Sequence, residues 1–114
     1  MKHNSDFRYD LELGEVKEIE LAKIFSNSTI EVKTDFLAKR TGNVFVEYES
    51  RGKPSGMSTS EADYYCFCIE ESFIILKAQE LKIRCRKYIG TDRDVKGGDS
   101  NTSKGILLPV TDLV

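Results

Sequence analysis

Hydrophobic positions recur at helical spacing near the N-terminus of the chain. From Asp10, a residue suited to cap a helix, Leu11, Gly14, Glu18, Leu21, Ala22 and Phe25 fall on one helical face, and Ser26, Asn27 and Ser28 then end the helix. The period changes to two at Thr29–Asp35, where Ile30, Val32 and Thr34 alternate with charged residues, and Asn43–Ser50 is again rich in strand formers. Two strands are predicted there, joined as an antiparallel hairpin through Phe36–Gly42. Arg51–Gly56 is dense in turn formers and reads as an exposed loop, while Ser58–Glu61 has the spacing of a capping box and predicts a short helical turn. Tyr64–Ile69 reads as a largely buried strand, Glu70 and Glu71 turn the chain, and Ser72–Leu76 forms a further core strand. Ala78–Tyr88 predicts a basic helix with Leu81, Ile83 and Cys85 as its apolar positions, a strand being the alternative. Gly90–Lys104 reads as a polar loop before a short strand at Ile106–Val110.

This order describes an α+β fold with one central mixed or antiparallel β-sheet flanked by helices. The 114 residues carry no repeat or linker and suit one domain, 1–114, with 1–9 expected to be flexible. No apolar run approaches the ~20 residues that span a bilayer, and the first residues lack a signal peptide's apolar stretch, so a cytoplasmic protein with no membrane partner is expected. Cys66, Cys68 and Cys85 are odd in number, and two of them are too close along one strand to bridge, so they read as buried apolar thiols. A zinc site would require these and His3 to gather from dispersed positions, which the spacing disfavours.

The net charge of −2 argues against a nucleic-acid partner until its distribution is considered. Residues 1–31 carry seven acids against four bases, and residues 77–104 carry eight bases against four acids. An acidic centre with a basic periphery suits an enzyme that holds a cation with carboxylates and phosphates with lysines and arginines.

Strand alternation gives that centre a location. Glu31, Lys33 and Asp35 share one face of the first strand, and Glu47 and Glu49 share one face of the second, so a hairpin would bring these carboxylates and one ammonium within cross-strand reach. Clustered carboxylates require a compensating cation, and hard oxygen ligands point to Mg²⁺ or Mn²⁺. Glu18, in the middle of the helix stripe, would be carried inward against the sheet, with Glu15 as the second candidate. The competing explanation is a solvated hairpin whose Glu and Lys side chains pair across strands.

Gly14-x-x-x-Glu18 followed by Ile30-Glu31-Val32-Lys33 resembles the restriction-endonuclease-like superfamily named for its PD-(D/E)xK motif, which includes archaeal-type Holliday junction resolvases and phage nucleases. The set Glu31–Asp35, Thr41–Asn43, Glu47, Ser55–Gly56 and Ala62–Tyr65 is similar to small phage-encoded members, and the likeness covers about residues 10–76. The resemblance implies a restriction-endonuclease-like core and a divalent-metal-dependent nuclease acting on DNA, active as a homodimer and, for a phage-encoded chain, in the host cytoplasm. It implies catalytic roles for Glu18, Lys33, Asp35 and Glu47, and metal ligation by Glu18, Glu31, Asp35, Glu47 and Glu49. The usual Asp before Glu31 is absent, so the register that takes Asp35 as that Asp and Glu47-x-Glu49 as the signature, with Lys33 acting from the neighbouring strand, is preferred to one centred on Glu31-x-Lys33. Lys39, Arg40, Arg51, Lys53 and Lys104 are the cations expected to hold the nucleic acid. A non-catalytic DNA-binding domain keeping this fold, and an unrelated interaction module, are the alternatives.

Overall fold

Two sheets build the core where one was expected. The structure, a computed structural model, describes residues 3–114, with side chains described from Glu12 onward except that of Asp99. Its elements are α1 (His3–Asn27), β1 (Ile30–Thr34), α2 (Ala38–Thr41), β2 (Asn43–Ser50), β3 (Lys53–Pro54), β4 (Tyr64–Ile69), β5 (Ser72–Lys77), α3 (Ala78–Arg86), β6 (Asp94–Gly97) and β7 (Ser103–Pro109). The class is α+β, with a mixed sheet ordered β1-β4-β5 and an antiparallel sheet ordered β3-β2-β7-β6, flanked by helices.

The predicted hairpin between Thr29–Asp35 and Asn43–Ser50 does not form. β1 pairs in parallel with β4, whereas β2 pairs antiparallel with β7. The connection explains the difference. Phe36–Gly42 coils into α2, whose Ala38 is fully buried, and it ends on Gly42 in the left-handed region (φ 74°) with the Gly42 amide bonded to the Ala38 carbonyl. A buried helical turn, unlike a hairpin loop, moves the chain sideways, so β2 starts in the second sheet.

The core lies between the sheets and under α3. Val44, Tyr65, Leu81, Cys85, Ile106 and Leu108 are its largest fully enclosed side chains. Burying Leu81, Ile106 or Leu108 is worth about 2 kcal/mol each in transfer free energy. Helix α3 turns Ala78, Leu81 and Cys85 inward and leaves Ile83 half-exposed, because positions three and four apart share a helix face. The helix also stops at Arg86, two residues short of the expected Tyr88.

Four other expectations are corrected. Helix α1 begins at His3, seven residues before Asp10, so Asp10 does not cap it; of the 1–9 stretch, Met1 and Lys2 fall outside the described residues. No described α1 side chain is buried: Phe25 is 67% exposed and Leu21 48%, and Glu15 and Glu18 face solvent. The reasons are local. Leu13, Val16, Ile19, Leu21, Ile24 and Phe25 are scattered around the helix, which gives no single stripe to bury. At its exit the Asp63 carboxylate accepts hydrogen bonds from the Thr29 amide (3.0 Å) and hydroxyl (3.2 Å), while the Asp63 and Tyr64 amides each donate to the Thr29 carbonyl (3.0 Å). Ser58–Glu61 forms no helix; a 3-10 turn at Gly56–Ser58 precedes it, because the Ser58 hydroxyl donates to the Tyr48 carbonyl instead of capping forward. Finally, β6 and a longer β7 occupy part of the expected Gly90–Lys104 loop. Gly97 reads as a breaker, yet it and Gly105 lie under the Phe45 ring, where a Cβ would come within 2.9 and 2.6 Å of its Cζ.

Tyr48 locks the second sheet to the following loop. Its hydroxyl donates to Asp94 at 2.6 Å, and the Gly90 amide donates to the other Asp94 oxygen at 2.9 Å. Hydrogen bonding to Asp94, then burial, pushes the Tyr48 phenol up to about 12, and Tyr48, then the Gly90 amide, holds Asp94 below its ordinary value. A carboxylate depressed in the folded state stabilises the fold above the ordinary carboxylate range and stops doing so as pH falls through its folded value. Tyr48→Phe is therefore expected to lower stability by about 1 kcal/mol at pH 7, with a smaller deficit at pH 3, as measured by urea unfolding at the two pH values.

Candidate functional site

The parallel register of β1 on β4 sets Glu31 beside Tyr65 and Lys33 beside Phe67. Paired residues share a sheet face, so Glu31 and Lys33 occupy the side that carries the buried Tyr65 and Phe67. From the other sheet, Phe45, Val46 and Glu47 approach the same place. Lys33, Glu47, Tyr65, Phe45, Gly56 and Met57 line a cavity of about 230 Å³ between the sheets.

The charged side chains there are held. The Lys33 ammonium pairs with one Glu31 oxygen at 3.2 Å, and the Ser60 hydroxyl donates to the other at 3.2 Å. Ser55 donates to one Glu47 oxygen at 2.9 Å, and among the described residues the second Glu47 oxygen has no partner. Asp35 does not line the cavity; both its oxygens are engaged, accepting from the Leu37 amide (3.0 Å) and the amide of the cavity-lining Phe45 (3.2 Å). It fastens the end of β1 to the cavity-lining start of β2. Burial raises the Tyr65 phenol's pKa, the Ser60 hydroxyl pulls it back and Glu31 raises it again, yet its oxygen makes no well-formed hydrogen bond. A buried donor with no acceptor is costly, and here it is left over inside the site.

Glu47 and Glu49 part company. The ladder pairs Glu47 with Gly105 and Glu49 with Lys104, with Tyr48 as an extra residue between them. Gly105 and Lys104 are neighbours on β7 and point to opposite faces, so this β-bulge turns Glu49 away from Glu47, and the expected shared face is lost. Glu18, exposed on α1, does not line the cavity. Among the described residues no three His, Cys, Asp or Glu side chains gather at one point.

No protein-family model, curated protein or solved structure matches the chain.

The remaining predicted residues are dispersed. Lys39 is exposed and paired with Glu70 at 2.9 Å, and Arg40 is exposed on α2. Arg51 and Gly52, both in the left-handed region (φ 52° and 79°), form the tight turn between β2 and β3, leaving Arg51 and Lys53 at an exposed tip. Lys104 is exposed between Glu49 and Lys96 in the ladder. Ser55, Ser60 and Tyr65, the groups that hold the carboxylates and the orphan donor, were not singled out for a role. Ser55 and Tyr65 fall within the Ser55-Gly56 and Ala62–Tyr65 parts of the resemblance, and Ser60 only within the Ser58–Glu61 capping-box pattern. The cysteines are free, with Cys66 and Cys85 buried; burial, then Asp112, pushes the Cys85 thiol up to about 12, which makes it unreactive.

Gly56 is required by this packing. Its φ is +52°, and a Cβ there would lie 2.4 Å from the Glu47 carbonyl oxygen. Gly56→Ala is expected to cost about 2 kcal/mol through backbone strain and overpacking, read as a fall in thermal midpoint, whereas Gly52→Ala, with open space around it, costs less.

Proposed function

We propose that the chain is a divalent-metal-dependent nuclease that hydrolyses DNA phosphodiester bonds at the cavity between the sheets. The observation that carries this reading is the meeting of Lys33, from β1, with Glu47, from β2, on one cavity, with Glu47 oriented by Ser55 and the Lys33 partner Glu31 by Ser60. A lysine beside fixed carboxylates suits phosphate chemistry: the ammonium neutralises charge that develops on a phosphoryl oxygen.

The residues fit a divalent ion of the Mg²⁺ or Mn²⁺ kind. Such ions keep most of their waters and use one or two carboxylates plus substrate phosphate, so the free oxygen of Glu47 is the donor that would hold the ion, with water and phosphate completing the shell. When bound, the ion supplies an activated water and charge neutralisation. Ser55 fixes the Glu47 rotamer, and Glu31 holds the Lys33 ammonium at the cavity. Asp35 positions Phe45 from behind, and Glu18 and Glu49 take no part.

The partners follow from two surfaces. Arg40, Arg51, Lys53 and Lys104 are exposed cations suited to DNA phosphates. On the outer side of the first sheet Val32 is 62% and Phe73 70% exposed, in one row system with Cys66, Cys68 and Ile75. Together with the uncovered apolar residues of α1, this face supports a homodimer. Phe73→Glu is expected to convert the dimer to monomer in sedimentation velocity. No described helix is long and apolar enough to cross a membrane, and three free cysteines suit a reducing cytoplasm, that of the host for a phage-encoded chain.

Plasmid and branched DNA incubated with Mg²⁺ or Mn²⁺ tests the reading. Cleavage is expected, with Lys33→Ala and Glu47→Gln each lowering its rate by about 100-fold or more while Glu18→Gln leaves it within about twofold. DNA binding without cleavage would favour a non-catalytic binding domain, and full activity in both Lys33→Ala and Glu47→Gln would reject the site.

A further inference from the structure

Helix α3 carries Lys82, Arg84 and Arg86, with Lys87 just beyond its end, and these four cations divide into two kinds. Arg84 pairs with Glu80 at 3.7 Å and donates to the Asp112 carbonyl at 3.1 Å, and Lys87 pairs with Asp112 at 3.4 Å. Lys82 and Arg86 have neither an ion pair nor a hydrogen bond among the described residues. They stand four residues apart, hence one above the other on one helix face, where like charges repel unless an anion lies between them. Lys77, at the start of the same helix, is also exposed and unpaired among the described residues.

These three free cations border two adjoining grooves. The first, about 610 Å³, is lined by Lys77, Lys82, Tyr64 and Ser28; its one carboxylate, Asp63, has an oxygen taken by Thr29. The second, about 310 Å³, is lined by Lys82, Arg86, Tyr48, Ser58 and Met57. Lys82 borders both, and Met57 borders both the second groove and the Lys33–Glu47 cavity. Lys77, Lys82 and Arg86 thus follow one another along the grooves, and the buried Met57 side chain stands between the second groove and the proposed reaction site. No acid lines the second groove.

We propose that these two grooves form a track for the phosphates of one nucleic-acid strand, running along α3 on the side of Met57 away from the cavity at Lys33. The free lysines and arginine hold successive phosphates, and the hydroxyls of Ser28 and Ser58 border the path. The proposal rests on the nuclease reading only for the nature of the polyanion. It assigns the main binding surface to Lys77, Lys82 and Arg86, not to the Arg51–Lys53 tip or Lys39, which is already paired with Glu70.

The test is fluorescence anisotropy with a labelled oligonucleotide, single-stranded and duplex, in EDTA so that nothing is cut. Lys82→Gln/Arg86→Gln is expected to weaken binding at least tenfold and to flatten the plot of log affinity against log salt by about 1.4 to 1.8, two phosphate contacts' worth. Lys77→Gln weakens binding by a smaller factor, and Lys23→Gln, on α1 away from the grooves, leaves it unchanged. Far-ultraviolet circular dichroism with a thermal scan verifies that the double variant is folded. Unchanged affinity and salt slope in the double variant, or no binding by the unaltered protein, overturns the track. If the double variant binds like the unaltered protein while Lys33→Ala still abolishes cleavage, the track falls and the nuclease reading stands. If the double variant loses binding but the unaltered protein cuts no nucleic acid, the track stands and the nuclease reading falls.

Discussion

The crossing of the chain from one sheet to the other is the constraint on which the site depends, and Asp35 fastens it. Its carboxylate accepts the Leu37 amide on one oxygen and the Phe45 amide on the other, while Ala38 is buried between them in sequence. Without that clasp the end of β1 and the start of β2 would have no reason to lie together, since no ladder joins them. With it, Lys33, two residues before the clasp, and Glu47, two residues after Phe45, reach one cavity from different sheets. A residue expected to ligate metal thus does its work through the backbone, as a carboxylate that receives two amides is well placed to do.

Around that crossing the polar groups form pairs that keep charge in place. Ser60 and Lys33 share Glu31, Ser55 holds Glu47, and Gly56 permits the close approach of its loop to the Glu47 backbone. The Tyr65 hydroxyl remains without a well-formed hydrogen bond inside the same shell, next to Ser60 and Glu31. Outside it, Tyr48 sits at the bulge that separates Glu47 from Glu49 and locks onto Asp94, so one irregularity both aims an acid and anchors the loop before β6.

The strands were legible in the sequence because alternation is a local property: Ile30, Val32 and Thr34 against Glu31 and Lys33 predicts a strand whatever it pairs with. The pairing was not legible. Whether Phe36–Gly42 makes a hairpin or a buried helical turn depends on a place in the core for Ala38, which no local pattern encodes. The same applies to the bulge at Tyr48, which reversed the expected facing of Glu49, and to β6, whose Gly97 reads as a breaker until the Phe45 ring is seen above it. An apolar stripe on α1 predicts an inward Glu18, but the apolar residues of α1 are scattered around the helix and its described side chains stay exposed or half-exposed. That Lys33 and Glu47 nevertheless lie on one cavity owes nothing to the hairpin that suggested it.

The central claim is that these two residues act as one site across two sheets. A double-mutant cycle on DNA hydrolysis measures this directly, because groups that work as a unit have non-additive effects. If Lys33 and Glu47 work together, Lys33→Ala/Glu47→Gln is no slower than the worse of the two single variants by more than a few-fold. A rate reduced by the full product of the two single effects would contradict it.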